Sequence, residues 1–184
     1  RKTFILPHGY DPKNIWADKK FKKQCFYASS PDRGLETLLA IWPSIYEKHP
    51  DATLLLTYGA PVESGKGIIN LGEVDEETMN EIFRTSDFWL HPCNGGELYC
   101  ITGIKAQVSG CIPVVIPRMA LSETVRHGFL AKDESEYVQT LDIALSAEDE
   151  QIDSIRTKLL AEKYPTWEST TDDLLKIVNS VLFK

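Results

Sequence analysis

The sequence predicts an α/β fold of three layers, a mostly parallel sheet between helices with a helical C-terminal tail, and three observations predict it. Short apolar runs bounded by Gly, Pro or Ser recur along the first part of the chain. Stretches of helical period separate them, which is the pattern of βαβ units. From Glu134 onward only helical periodicity remains.

The strand candidates are Thr3 to Leu6, Cys25 to Ala28, Thr53 to Tyr58, Ile68 to Leu71, Phe88 to His91 and Ile112 to Ile116. Between them Leu35, Leu38, Leu39, Trp42, Ile45 and Tyr46 recur at near-helical spacing, as do Met79, Ile82 and Phe83. Pro43 lacks the N–H that a helix interior needs and is expected to kink or split the first of these helices. The link from Gly59 to Gly67 is too short for a crossover helix and is expected to be a loop. The tail reads as three helices, carried by Tyr137, Leu141 and Leu145, by Ile152, Ile155 and Leu159, and by Leu174, Leu175, Val178 and Val181.

A chain of 184 residues, 42% hydrophobic and 26% charged, fits one domain over 1–184 with a sizeable core. No apolar run reaches the roughly 18 residues of a membrane span. A net charge of -7 argues against a nucleic-acid backbone as partner, because that binding requires clustered Lys and Arg. Cys25, Cys93, Cys100 and Cys111 form no CxxC pair and read as buried free thiols, hence a reducing, cytoplasmic setting. His8, His49, His91 and His127 show no metal-ligand spacing, so no metal site is expected. The start at Arg1-Lys2, without a signal-peptide pattern, reads as a segment of a longer protein.

Two segments carry chemistry. Phe26 to Leu35 is a strand running through Ser29 and Ser30 into a helix start, with Arg33 placed for a diphosphate. In doubly wound sheets ligands bind at the carboxyl ends of strands, where helix N-termini offer unpaired N–H groups. The same residues also fit a helix cap at Ser30 or Asp32 beside a solvated arginine. His91 to Thr102 is the second segment, an apolar strand stopped by Pro92 and followed by Gly95, Gly96 and Glu97 just before a helix. Paired glycines let backbone approach a ligand closely, and such a carboxylate can accept from sugar hydroxyls. Glu97 is equally favourable beside the positive end of a helix dipole. Ala106 to Pro117 then reads as a helix closed by Gly110 and a buried strand.

Taken in order, these segments resemble the Rossmann-like C-terminal domain of retaining GT-B glycosyltransferases of group 1, the GT4-like proteins that build polysaccharides and glycolipids. Ile5 to Asp11 resembles the start of that domain, Arg33-Gly34-Leu35 its basic-Gly pair, and Leu71 to Val74 its Gly-x-Val strand end. Ser86 to Pro92 and Tyr164 to Glu168 resemble two further motifs, so the likeness spans nearly the whole chain. The resemblance implies one half of a GT-B fold whose acceptor-binding N-terminal domain is absent. It implies a nucleotide-sugar donor, UDP- or GDP-linked, transferred without metal or other cofactor to a glycan or lipid. Arg33 and the backbone of Tyr99, Cys100 and Ile101 correspond to the diphosphate site, Glu97 to the sugar-orienting carboxylate, and Val74 to the base contact. Ser29, Ser30, Gly95 and Gly96 complete the donor site. Any membrane-surface role is expected in the absent half.

One position departs from the pattern. Lys105 stands where the family's Glu-x7-Glu motif has its second glutamate, which accepts from the ribose hydroxyls. An ammonium donates and cannot accept. Either Lys105 faces the diphosphate, or the ribose is held otherwise, or donor binding is weakened, or the lysine lies on a solvated face; the rival expectation is a catalytically degenerate nucleotide- or partner-binding module. This fragment alone is expected to have little or no transferase activity. A dinucleotide-dependent oxidoreductase is disfavoured because Ala28 to Gly34 lacks the G-x-G-x-x-G fingerprint.

Overall fold

The computed structural model describes residues 3–13, 15–16, 19–59, 62–93 and 95–182; Arg1-Lys2, Pro61 and Asn94 of the segments above lie outside them. Six parallel strands form one sheet in the order β3-β2-β1-β4-β5-β6. They are β1 (Phe21–Tyr27), β2 (Thr53–Thr57), β3 (Ile68–Gly72), β4 (Ser86–His91), β5 (Ile112–Val115) and the short β6 (Phe129–Leu130). The chain lays β2 and β3 on one side of β1, then returns to place β4 on the other. Loops leaving β1 and β4 therefore diverge, and a crevice opens at their carboxyl ends.

Alternation along the strands supplies both apolar faces. Cys25, Tyr27, Leu54, Leu56, Phe88 and Leu90 pack on one side against α1 (Leu35–Lys48), α5 (Glu134–Ser146) and α6 (Asp149–Ala161). Phe26, Leu55, Trp89 and Val115 face the other side, under α2 (Glu76–Thr85), α3 (Ile101–Val108) and the single-turn α4 (Leu121–Thr124). With both faces covered, every residue of β4 and β5 is buried, as parallel strands require. Asp75 caps α2 by accepting from the Thr78 N–H at 2.8 Å, and Asp133 caps α5 through Ser135 and Glu136.

Several expectations are corrected. Thr3 to Leu6 forms no strand and leaves Ile5 93% exposed; it pairs with none of the six strands. Pro43 does not split α1, which runs unbroken from Leu35 to Lys48. Burial of Leu38, Trp42 and Ile45, with the Trp42 indole donating to the Lys66 carbonyl at 3.0 Å, outweighs the missing bond. The link between β2 and β3 is helix-free over its described residues, as expected, and the same indole pins it to α1. The C-terminal helices expected from Glu134 onward are present: α5 and α6 pack in the core layer, and α7 (Trp167–Leu182) leaves Leu174, Leu175, Val178 and Leu182 exposed.

Candidate functional site

The crevice is built by close backbone approach. Gly34 lies between a single 3-10 turn, Pro31–Arg33, and α1, with φ +96°, and a Cβ there would stand 2.7 Å from the Pro92 carbonyl oxygen. Only glycine satisfies both demands. The contact presses the β1 loop onto the end of β4 and delivers Arg33 to Glu97. The guanidinium Nη1 donates to Glu97 Oε2 at 3.2 Å and to the Gly96 carbonyl at 3.0 Å. Glu97 Oε1 accepts the Leu98 N–H at 3.1 Å, so both carboxylate oxygens have donors. The pair is partly exposed, so it adds little stability and mainly sets position.

Helix α3 begins beside this pair. Its first intrahelical bond runs from the Ile104 N–H to the Cys100 carbonyl, leaving the Ile101 and Thr102 N–H groups ahead of it. Cys100 holds the N-cap in the left-handed region at φ +63°. Gly103 lets α3 sit directly on Trp89, since a Cβ would meet the indole at 2.6 Å. Burial pushes the Cys100 thiol up to about 12, with Glu97 adding to the shift, so it stays protonated near neutrality.

Two cavities meet here. One of about 390 Å³ is lined by Ser29, Arg33, His91, Glu97, Tyr99 and Ile101. The other, about 530 Å³, is lined by Tyr58, Val74, Glu76, Asn80 and Lys105. Ala28 and Thr102 line both, so they form one groove over the carboxyl ends of β1, β2 and β4. The structure thus gathers Arg33, Glu97, Ser29, Tyr99, Cys100 and Ile101 at one end, and Val74 and Lys105 at the other. Ser30 lines neither cavity; its carbonyl accepts from the Tyr27 hydroxyl and the Arg33 N–H. Gly95 and Gly96 also lie off the groove wall, where each has room for a Cβ. Against β4 and the loop after it, the close approaches that demand glycine are at Gly34 and Gly103 instead.

Lys105 does not reach the Arg33 end of the groove. Its ammonium lies 3.7 Å from Glu76 Oε1, a carboxylate contributed by α2. Sequence reasoning missed Glu76, whose nearness to Lys105 is tertiary. It also missed His91, where burial holds the imidazole near pKa 4, with Glu97 raising and Arg33 lowering it. His91, Glu97 and Cys100 place one ligand atom each within 4.8 Å of one another, the grouping of metal-ligating side chains among the described residues.

Distant motifs converge on the same end. Tyr10 and Thr166 form a parallel bridge, and the Tyr99 hydroxyl donates to the His8 carbonyl. The His8 ring lies 4.2 Å from that of Trp167, so the segments around residues 8 and 166 brace the groove together.

No family model matches the chain. A phosphatidyl-myo-inositol mannosyltransferase of Propionibacterium freudenreichii is 31% identical over 85 residues, 46% of this chain and 22% of that protein. The chain spans about a quarter of the length of the curated relatives it matches, 22% and 28% in two of them. Among solved structures, S. aureus TarM, in complex with ligands that include UDP, superposes with a TM-score of 0.75 at 13% identity, over 96% of this chain and 39% of that one. The C-terminal domain of the group 1 glycosyltransferase LpcC from Francisella tularensis superposes with a TM-score of 0.68 at 16% identity, over 85% of this chain and 99% of that one. With its parallel six-stranded sheet and its site at the divergence of β1 and β4, the chain has the fold of the C-terminal, Rossmann-like domain of a group 1 GT-B glycosyltransferase.

Proposed function

We propose that the chain is the donor-binding part of a glycosyltransferase that moves a sugar from a UDP- or GDP-linked donor to a glycan or lipid acceptor, with retention, in polysaccharide or glycolipid synthesis. The observation that carries this reading is the continuous groove at the divergence of β1 and β4, with a cation and a helix start at one end and a nucleoside-sized space at the other. The nucleoside lies beside Tyr58 and Val74. The diphosphate meets Arg33 and the Ile101 and Thr102 N–H groups, which stabilise the charge that develops as the sugar departs. Glu97 orients the sugar by accepting from its hydroxyls. Arg33 supplies the positive charge, so the reaction is metal-independent and chelation with EDTA leaves binding unchanged. The similarity to mannosyltransferases and the resemblance around Glu97 support a retaining hexosyl transfer.

The acceptor is held by another part of a longer protein. The exposed apolar side chains of α7, with Trp167 at its start, support a further domain packing there. This chain alone is then nearly inactive. The test is calorimetric titration with UDP, GDP, ADP and their sugar conjugates, beside Arg33→Ala. Saturable binding of one nucleotide class, lost in the variant, is expected; no binding by folded protein overturns the reading.

A degenerate module is favoured by one observation, the Lys105–Glu76 pair within the nucleoside cavity. Under the donor reading Glu76 supplies the acceptor that position 105 lacks, and Lys105→Glu lowers affinity by crowding two carboxylates. Under the degenerate reading the same substitution raises it.

A further inference from the structure

His91 closes β4 at the wall of the smaller cavity, and it is 1% exposed. Neither ring nitrogen has a hydrogen-bond partner among the described residues. Leaving such groups buried and unsatisfied is costly, so an orphaned imidazole in a site wall calls for a function. Its ring cannot simply turn away: it stacks on Trp89 at 5.2 Å and 24°, and lies 6.4 Å from the Tyr27 ring at 18°. Nε2 stands 3.8 Å from Glu97 Oε2, just beyond hydrogen-bond range.

That oxygen already has a donor, the same Arg33 Nη1 that also serves the Gly96 carbonyl. A diphosphate in the groove competes for this guanidinium, and turning it outward breaks both bonds. Glu97 is then left a partly buried carboxylate without its charged partner. Accordingly we propose that His91 is a positioning residue: as Arg33 turns to a bound diphosphate, the imidazole Nε2–H takes over Glu97 Oε2 and keeps the carboxylate aimed at the donor sugar. A neutral ring does this without burying a second charge, and a movement of about 1 Å suffices to reach hydrogen-bond distance. Cys100 completes a metal-like grouping with the same two side chains, but a cation there would face the Arg33 guanidinium across one carboxylate. A hydrogen bond fits that electrostatic setting.

The proposal rests on the donor-site reading, and two measurements separate them. Arg33→Ala without ligand imitates the turned arginine. Nitrogen-15 spectra of its imidazole rings are expected to show His91 as the Nε2–H tautomer with a slowly exchanging ring proton. An Nδ1–H tautomer, or a His91 signal that shifts on adding Zn²⁺ and returns with EDTA because the ring binds metal, overturns the proposal. The second measurement is the ratio of affinities for UDP-glucose over UDP, and GDP-mannose over GDP. In His91→Phe that ratio is expected to fall on the order of tenfold, and His91→Gln, which keeps an N–H near the Nε2 position, restores it. A merely structural role lowers both affinities together and leaves the ratio unchanged, which overturns the proposal while the donor site stands. If the wild-type chain binds none of these compounds, the donor-site reading fails, and the Arg33→Ala spectrum still decides whether His91 takes Glu97.

Discussion

Strand β4 carries a buried polar side chain at each end, and the two are treated in opposite ways. Near its start, Asp87 accepts from the Arg156 guanidinium and, at 3.1 Å, from the Lys23 N–H. Arg156 also donates to the Gly110 carbonyl, and Lys20 donates to the Phe83 carbonyl at 2.9 Å and lies 3.6 Å from Cys111 Sγ. Burial lowers the Lys20 ammonium and pushes the Cys111 thiol up to about 11. Every charged group of this end is tied to a partner from another element, so it works as a clamp joining β1, β4 and α6. At the other end neither ring nitrogen of His91 has a partner among the described residues, Arg33 serves two acceptors at once, and Cys100 sits in a left-handed conformation. Satisfied polar burial marks the scaffold and unsatisfied burial marks the site, whereas left-handed backbone occurs at both, at Lys23 (φ +58°) and at Cys100.

The largest effect belongs to the clamp. Asp87→Ala leaves the mostly buried Arg156 guanidinium with only the exposed Asp153 carboxylate at 3.3 Å and the Gly110 carbonyl, and is expected to cost about 3–4 kcal/mol in urea unfolding. Nucleotide affinity of the molecules that remain folded should not change. A loss of affinity at unchanged stability would reverse the roles assigned to the two ends.

A pH titration addresses the site end. The folded imidazole of His91 titrates near 4, against 6.5 ordinarily, so as pH falls the unfolded chain takes up this proton first. Stability present above about 6.5 is therefore lost progressively toward pH 4, on the order of 3 kcal/mol from this group. Glu97 and Arg33 are the charged groups acting on the ring, and they oppose each other. Urea unfolding of His91→Phe at pH 7 and pH 4.5 should show a smaller difference than wild type. Equal differences would place the acid sensitivity elsewhere.

Gly34→Ala strikes the seam between scaffold and site. A φ of +96° and a Cβ 2.7 Å from the Pro92 carbonyl oxygen force the loops after β1 and β4 apart. About 1–3 kcal/mol of destabilisation is expected. Because Arg33 precedes this residue, nucleotide affinity should fall as well, which distinguishes the seam from the clamp.

How much of this could be read from residues follows the range of the interactions. Five strands, and helices over Leu35, Met79 and the tail, were legible because alternation and helical period are local properties. That Arg33 and Glu97 follow the apolar runs of β1 and β4 was legible, while their roles were only implied by the resemblance and their 3.2 Å pairing appears only in the fold. The two-residue β6 carries too little pattern to be seen, and Pro43 misled because the packing that holds α1 together comes from the sheet beneath it. Glycine counting drew attention to Gly95 and Gly96, while the close approaches occur at Gly34 and Gly103, whose neighbours Pro92 and Trp89 depend on tertiary folding in the first case and on strand-helix packing in the second. Glu76 facing Lys105, and the orphaned ring of His91, likewise exist only once the strands are in order.

The smallest effect tests whether strain at the site end is held for binding. Cys100 occupies the left-handed region at φ +63° and ψ +70°, which costs an L-residue about 1–2 kcal/mol. Cys100→Gly removes that strain but gives back about 0.5–1 kcal/mol in the greater freedom of the unfolded chain. The thiol itself is uncharged near neutrality, so no ion pair is lost with it. A net gain of roughly 0.5–1 kcal/mol, or about 1–4 °C in Tm, is the expected balance by calorimetry. If stability falls instead, packing of the thiol over Gly103 outweighs the backbone term, and Cys100 belongs with the scaffold. If stability rises while nucleotide affinity drops, the more flexible N-cap no longer holds the Ile101 and Thr102 N–H groups in place, and the strained cysteine is part of what preorganises the groove.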